Sequence, residues 1–202
     1  MTFAAITLAK VEPGYKSTAI QNLLKIKDVS LSGGAKRVRL ASMQSGSSVG
    51  QLVMLQFFDS MANAENVYDA FNSDPTYSET MESGKFEITR RGLMKVHLEG
   101  GNFSSSEKLK YLSLTIGTAD GPQIDAITRF ANVLTANGAI TAAYGTSFIG
   151  DYADGKTHIF GATYSSLNAM QNAYDAVLKD GAAAELYKVV TVQRRQLLRL
   201  ID

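Results

Sequence analysis

The chain has 202 residues, 45% of them hydrophobic and 19% charged, with 20 Lys and Arg set against 19 Asp and Glu. That length and balance suit one domain or two small ones and exclude a disordered chain, while the lack of a basic excess speaks against a nucleic-acid partner. There is no cysteine, so disulfides, thiolate metal sites and a cysteine nucleophile are excluded, and a reducing, cytoplasmic location is expected.

The amino terminus is apolar but carries no basic stretch. Lys10, Glu12 and Pro13 end its run, so residues 3–9 read as a strand and not as a signal peptide. No apolar run is long enough to span a bilayer, so no membrane partner is expected. Beyond Gly14, the residues Ile20, Leu23, Leu24 and Ile26 alternate with polar ones as in an amphipathic helix of about three turns. A strand follows at 36–44, a turn at 45–48, and a near-continuous apolar run at 52–58, the pattern of a strand covered on both faces. Asp59 and Ser60 suit an N-cap, and Ala64, Val67, Tyr68 and Phe71 form one helical stripe. Asp74-Pro75 then starts a short second helical piece to about residue 81, and 86–98 is a fourth strand.

Residues 99–107 are rich in Gly and Ser and read as a linker between a unit at 1–98 and a unit at 108–202. After the linker the order restarts. Strands are expected at 111–116, 138–150, 156–163 and 190–201. Helical stripes are formed by Ile124, Ile127, Phe130, Ala131 and Leu134, and by Met170, Ala173, Tyr174 and Val177. Phe3 and Tyr111 are 108 positions apart, Gly34 and Gly138 are 104, Tyr68 and Tyr174 are 106, and Arg90 and Arg194 are 104. Residues 51–58 align with 156–163. A nearly constant offset over the whole chain marks a duplicated supersecondary unit.

The repeated β-α-β-β-α-β order is that of a ferredoxin-like unit. Two such units in one chain resemble the dimeric α+β barrel superfamily in tandem-fused form. The resemblance implies an α+β fold in which each unit has a four-stranded antiparallel sheet with helices on one face, the two bare faces meeting as a pseudo-twofold barrel. It implies a monomer with an internal pseudo-dimer, or a homodimer of such chains. Its members include small monooxygenases, isomerases, haem-binding enzymes and stress-response proteins, so fold alone selects no function. The chain has no tryptophan, which haem-degrading members tend to use.

Period-two patterning assigns faces to the strands. Ala4, Ile6 and Leu8, matched by Leu112, Leu114 and Ile116, form the more apolar side and are expected to meet the helices. Phe3, Ala5, Thr7 and Tyr111, Ser113, Thr115 are then expected to look into the barrel. The same parity turns inward Val38, Leu40 and Ser42; Ala142, Tyr144 and Thr146; Met54, Gln56 and Phe58; and Ile159, Gly161 and Thr163. Met94, Val96, Leu98, Leu198 and Leu200 are expected to cover helices, with Arg91, Lys95, His97, Arg195 and Arg199 on the inward or rim side.

Candidate site residues follow from these faces. One arginine of each repeated pair, Arg90-Arg91 and Arg194-Arg195, is expected to turn inward and hold a carboxylate or other anion in a fork. The face pattern selects Arg91 and Arg195. The alternative is a solvated strand mouth or pairing with acidic residues across the halves. Tyr111 and Tyr144 replace Phe3 and Leu40 of the first unit and would place ligand-facing polarity in the second unit, unless they serve packing alone. His97 ends its strand near the barrel mouth, whereas His158 reads as a structural histidine on the helix side. Tyr68 and Tyr174 lie on apolar stripes and read as packing. No metal-ligand spacing, phosphate loop or nucleophile elbow is present, and no cofactor is implied by any motif. Three readings stay open: a small organic or anionic ligand bound in the barrel; a cofactor-independent monooxygenase or isomerase using Tyr111, Tyr144, Arg91, Arg195 or His97; and an assembly role with a filled barrel.

Overall fold

Local signals set the ends of the helices. Ser60 accepts a hydrogen bond from the Asn63 amide and caps α2 (Met61–Ser73), and Ser166 does the same from Ala169 for α5 (Leu167–Asp180). Asp74 caps α3 (Pro75–Glu82) through the Tyr77 amide at 2.8 Å, with proline in the first turn where its missing N–H costs nothing. Gly181, at φ 88°, supplies the left-handed bend between α5 and α6 (Ala182–Val189) that a side chain would resist. The first helix, α1 (Lys16–Ser32), is longer than its stripe suggests and buries Ala19, Leu23, Ile26 and Ser30. α4 (Ile124–Ala136) buries Ile127, Phe130, Ala131 and Leu134.

A computed structural model describes residues 2–151 and 153–201; Met1, Tyr152 and Asp202 lie outside the described residues. Among the described residues the strands are β1 (Thr2–Val11), β2 (Arg37–Met43), β3 (Leu52–Phe58), β4 (Phe86–Gly101), β5 (Tyr111–Thr118), β6 (Thr141–Ile149), β7 (Thr157–Tyr164) and β8 (Thr191–Leu200). They close into one antiparallel barrel in the order β1-β3-β2-β8-β5-β7-β6-β4. Each unit contributes a ferredoxin-like sheet, 4-1-3-2 in its own numbering. Two seams join the units. β4 pairs with β6 from Leu93–Ile149 to Gly101–Thr141, and β2 pairs with β8 only over residues 41–43. β4 therefore runs three residues into the stretch read as linker.

The core has three layers. Helices of the first unit pack on Ala5, Ala9, Val38, Leu40, Met54 and Phe58, and those of the second on Ala142, Tyr144, Phe160, Ala162 and Tyr164. Between the sheets lies a third cluster that includes Ala4, Leu8, Val53, Leu55, Met94, Val96, Leu112, Leu114, Ile116, Ile159, Leu198 and Leu200. This reverses most of the expected faces. The greasier side of β1 and β5 lines the barrel, and the β1 side with Ala5 and Ala9 packs with the helices. Gln56, expected in the barrel, instead donates its amide to the Ser30 hydroxyl of α1 at 2.8 Å. Met94, Val96, Leu198 and Leu200, expected under helices, fill the barrel. β7 alone keeps its expected parity, with Ile159, Gly161 and Thr163 inward.

Candidate functional site

Leu8 of β1 pairs with Arg90 of β4 but the next residue, Ala9, pairs with Ile88, so Thr89 is an extra residue in β4; β8 repeats this at Gln193, between Ile116–Arg194 and Gly117–Val192. Such bulges re-aim the side chains beside them. Ile88 packs with the helices, whereas Arg90, two positions on, turns into the barrel. Arg194 does the same in the second unit. Arg90 and Arg194 thus face one lumen from positions related by the internal twofold.

That lumen compartment is lined by Ile6, Leu8, Met43, Val53, Leu114, Ile116 and Ile159, with Ser147 and Gln196 as its small polar groups. Asp151 stands at the rim, 3.5 Å from Arg90 Nε. The compartment encloses ≈ 610 Å³ of atom-free space, open mouth included, of which ≈ 50 Å³ admits the centre of a water-sized sphere. One water needs about 10–15 Å³ by that measure, so the space is real but slender. A second compartment shares Ile6, Met94, Leu114 and Ile159 with the first and continues past Ala4, Leu55, Phe57, Leu112 and Leu200 to Arg37, Arg39 and Phe103. At that end Arg37 lies between the Phe57 and Phe103 rings, 4.1 and 4.4 Å from their centres, and bonds Glu99 at 2.6 Å.

The arginines chosen from the face pattern stand on the opposite side of the sheet. Arg91 Nε donates to Thr7 Oγ1 at 3.1 Å, with Tyr77 and the Tyr68 ring beside its guanidinium. Arg195 repeats the arrangement with Thr115 at 3.1 Å, Tyr187 at 3.1 Å and the Tyr174 ring at 4.5 Å. Both brace helices onto the sheet, which corrects their inward placement. Tyr111 is also outside the barrel, its hydroxyl accepting from Arg199 at 2.7 Å. Tyr144 is wholly buried under α4, where its hydroxyl meets His158 Nδ1 at 2.5 Å and accepts from the Gln123 amide at 3.0 Å. His97 is the extra residue of another bulge in β4, exposed on the outer face, and bonds Thr146 at 2.8 Å.

Tyr144, His158 and Arg195 do share a void between the second sheet and its helices, but only ≈ 20 Å³ of it admits the centre of a water-sized sphere. That holds a water or two and no organic substrate. Burial pushes the Tyr144 phenol up and the His158 imidazole down, so both stay neutral near pH 7. His97 is also lowered, by desolvation first and Lys95 second. Among the described residues no three His, Cys, Asp or Glu side chains gather as a metal site, and no helix is long and apolar enough to cross a membrane. Arg90 and Arg194 were missed as the inward members because the apolar face of β4 and β8 was expected under the helices: Arg90 keeps the parity of Met94, and Arg194 that of Leu198, on the lumen side.

Solved structures with the same architecture span nearly the whole chain. A proposed monooxygenase of Fusobacterium nucleatum superposes with a TM-score of 0.76 at 8% identity, covering 100% of this chain and 93% of its own. A second proposed monooxygenase, from Lactobacillus acidophilus, gives 0.63 at 13% identity over 99% and 93%. A mutant chlorite dismutase from Candidatus Nitrospira defluvii gives 0.60 at 9% identity over 100% and 92%. At these identities the likeness is one of fold, that of the dimeric α+β barrel superfamily with both units in one chain. No curated protein matches the sequence. The sequence pattern of DUF6854, a domain of unknown function, fits residues 2–96 and again 110–200, and the chain belongs to that family as a tandem pair.

Proposed function

We propose that the protein binds a slender amphipathic organic anion, its apolar body in the barrel lumen and its carboxylate at Arg90 and Arg194. The observation that carries this is the placement of both arginines, by repeated bulges, at the mouth of one aliphatic compartment. Guanidinium groups match carboxylates in geometry and keep their charge at any working pH. An apolar cleft with a few convergent polar groups is the usual form of a small-molecule site. Barrel space on both sides of Met94 speaks against a filled, purely structural barrel. The monooxygenase assignment proposed for two structural neighbours is weaker support, because the lumen lining carries no imidazole and its carboxylate, Asp151, is engaged by Arg90.

Calorimetric titration with hexanoate and benzoate tests the proposal. Replacing both arginines, Arg90→Gln with Arg194→Gln, should weaken binding by roughly 10–100-fold, the effect of losing a charge-assisted hydrogen bond of about 1.5–3 kcal/mol. Unchanged affinity in that variant, or no binding of either acid to the native protein, overturns the reading.

A further inference from the structure

We infer that the ligand is a long-chain aliphatic carboxylate whose chain threads both lumen compartments. This rests on the lumen-binding reading and goes beyond it by naming the ligand class and its path.

The lining chooses aliphatic over aromatic chemistry. Among the described residues, the compartment under Arg90 and Arg194 has no aromatic ring in its wall, and its apolar side chains are Ile, Leu, Val and Met. Such a wall offers dispersion and dehydration to an alkyl chain and, among the described residues, no stacking face to a ring system. The two compartments meet at a waist formed by Ile6, Met94, Leu114 and Ile159. A broad polycycle cannot pass there, but a chain can. Three of the four waist side chains are branched, whereas Met94 is unbranched and has several rotatable bonds, so it can swing aside without moving backbone. On β1, the lumen-facing residues Leu8, Ile6 and Ala4 run from the Arg90 end to the far compartment, about 13 Å at ~3.3 Å per residue, with the rims beyond.

At the far end the aromatic rings sit on Arg37. Phe103, on the connection after β4, covers one face of Arg37 while Phe57 covers the other, and Glu99 holds the guanidinium. Lys36 lies 3.5 Å from the same carboxylate. Arg37 is thereby occupied, and the rings offer an apolar stop for a chain terminus. The Phe57 and Phe103 rings distinguish this end of the barrel from the Arg90–Arg194 end, although the units that build it are repeats.

Two measurements on the full chain decide it. The first is a titration series from hexanoate through decanoate and tetradecanoate to octadecanoate, below self-association. Affinity should rise about fourfold per added methylene that enters the lumen, equivalent to ~0.8 kcal/mol each, and should keep rising past the length of the first compartment. The second uses Phe103→Trp, the only indole in a chain without tryptophan. A long acid brominated at its terminal carbon should quench that indole, and the same acid brominated beside the carboxylate should not. Affinity that levels off at short chains, or an indole untouched by the terminal bromine, overturns the long-chain inference while leaving the lumen reading intact. Quenching by the carboxylate-side bromine alone reverses the orientation and overturns it as well. If no acid of any length binds, the lumen reading and this inference fall together.

Discussion

Arg90 and Arg91 are neighbours in sequence and lie on opposite faces of the sheet, and Arg194 and Arg195 repeat that division. The outer pair reads as structural: each guanidinium joins a threonine on the first strand of its unit to a tyrosine on a helix. Arg91→Ala should lower stability by about 1 kcal/mol, typical of lost hydrogen bonds, and the more exposed Arg195 should matter less; urea denaturation checks both. Neither substitution should alter carboxylate affinity, which belongs to Arg90 and Arg194. His158 gives a pH signature. Burial is the largest influence holding its imidazole below the usual range, with the Ala119 backbone opposing and His97 adding. The unfolded chain therefore takes up that proton first. Stability present above pH ~6.5 declines as pH falls below the unfolded value and levels off once the folded-state value is passed. Thermal melts between about pH 7.5 and 5 should show this decline, and His158→Gln should flatten most of it, with His97 retaining the remainder.

Strand faces show what periodicity can and cannot rank. In β1 both faces are buried, one by helices and one by the opposite sheet, so the contrast between Ile6 and Thr7 says only that two faces exist. The structure decides between them: Ala5 and Ala9 join the helix-side core, and Ala4 and Leu8 the lumen core. β3 and β7 differ by a single position. Aligning 51–58 with 156–163 sets an offset of 105, whereas the pairings Phe3–Phe58 and Tyr111–Tyr164 give 106. A slip of one residue exchanges the faces of a strand, which is why one of the two was placed correctly and the other inverted. At the long seam, Gly145 sits where a Cβ would collide with the Lys95 carbonyl and Met94 Cε. Gly145→Ala should therefore destabilise by about 1–3 kcal/mol, the usual cost of overpacking, a loss measurable by calorimetry, and should also disturb the Met94 waist.

At the scale of the molecule, stability depends on closure. The lumen cluster contains residues of both units, and β4–β6 and β2–β8 pair edges that each unit alone would leave open. A fragment of residues 1–101 should not persist as a monomer, since it exposes an aliphatic sheet face and two unpaired edges. Analytical ultracentrifugation should show self-association or aggregation, relieved when residues 102–202 are supplied in trans.

The duplication, the β-α-β-β-α-β order and the helix caps at Ser60 and Asp74 were legible in the sequence by itself, and the two-unit barrel followed from the resemblance they carry. The elements and caps depend on local chemistry, and the duplication on a near-constant offset along the chain. The inward arginine of each pair, the burial of Tyr144 beside His158 and the two-compartment lumen were decided by tertiary structure alone. They depend on bulges at Thr89, Gln193 and His97 and on which of two buried faces a helix covers. Those choices follow from contacts between residues far apart in the chain, which no local period records.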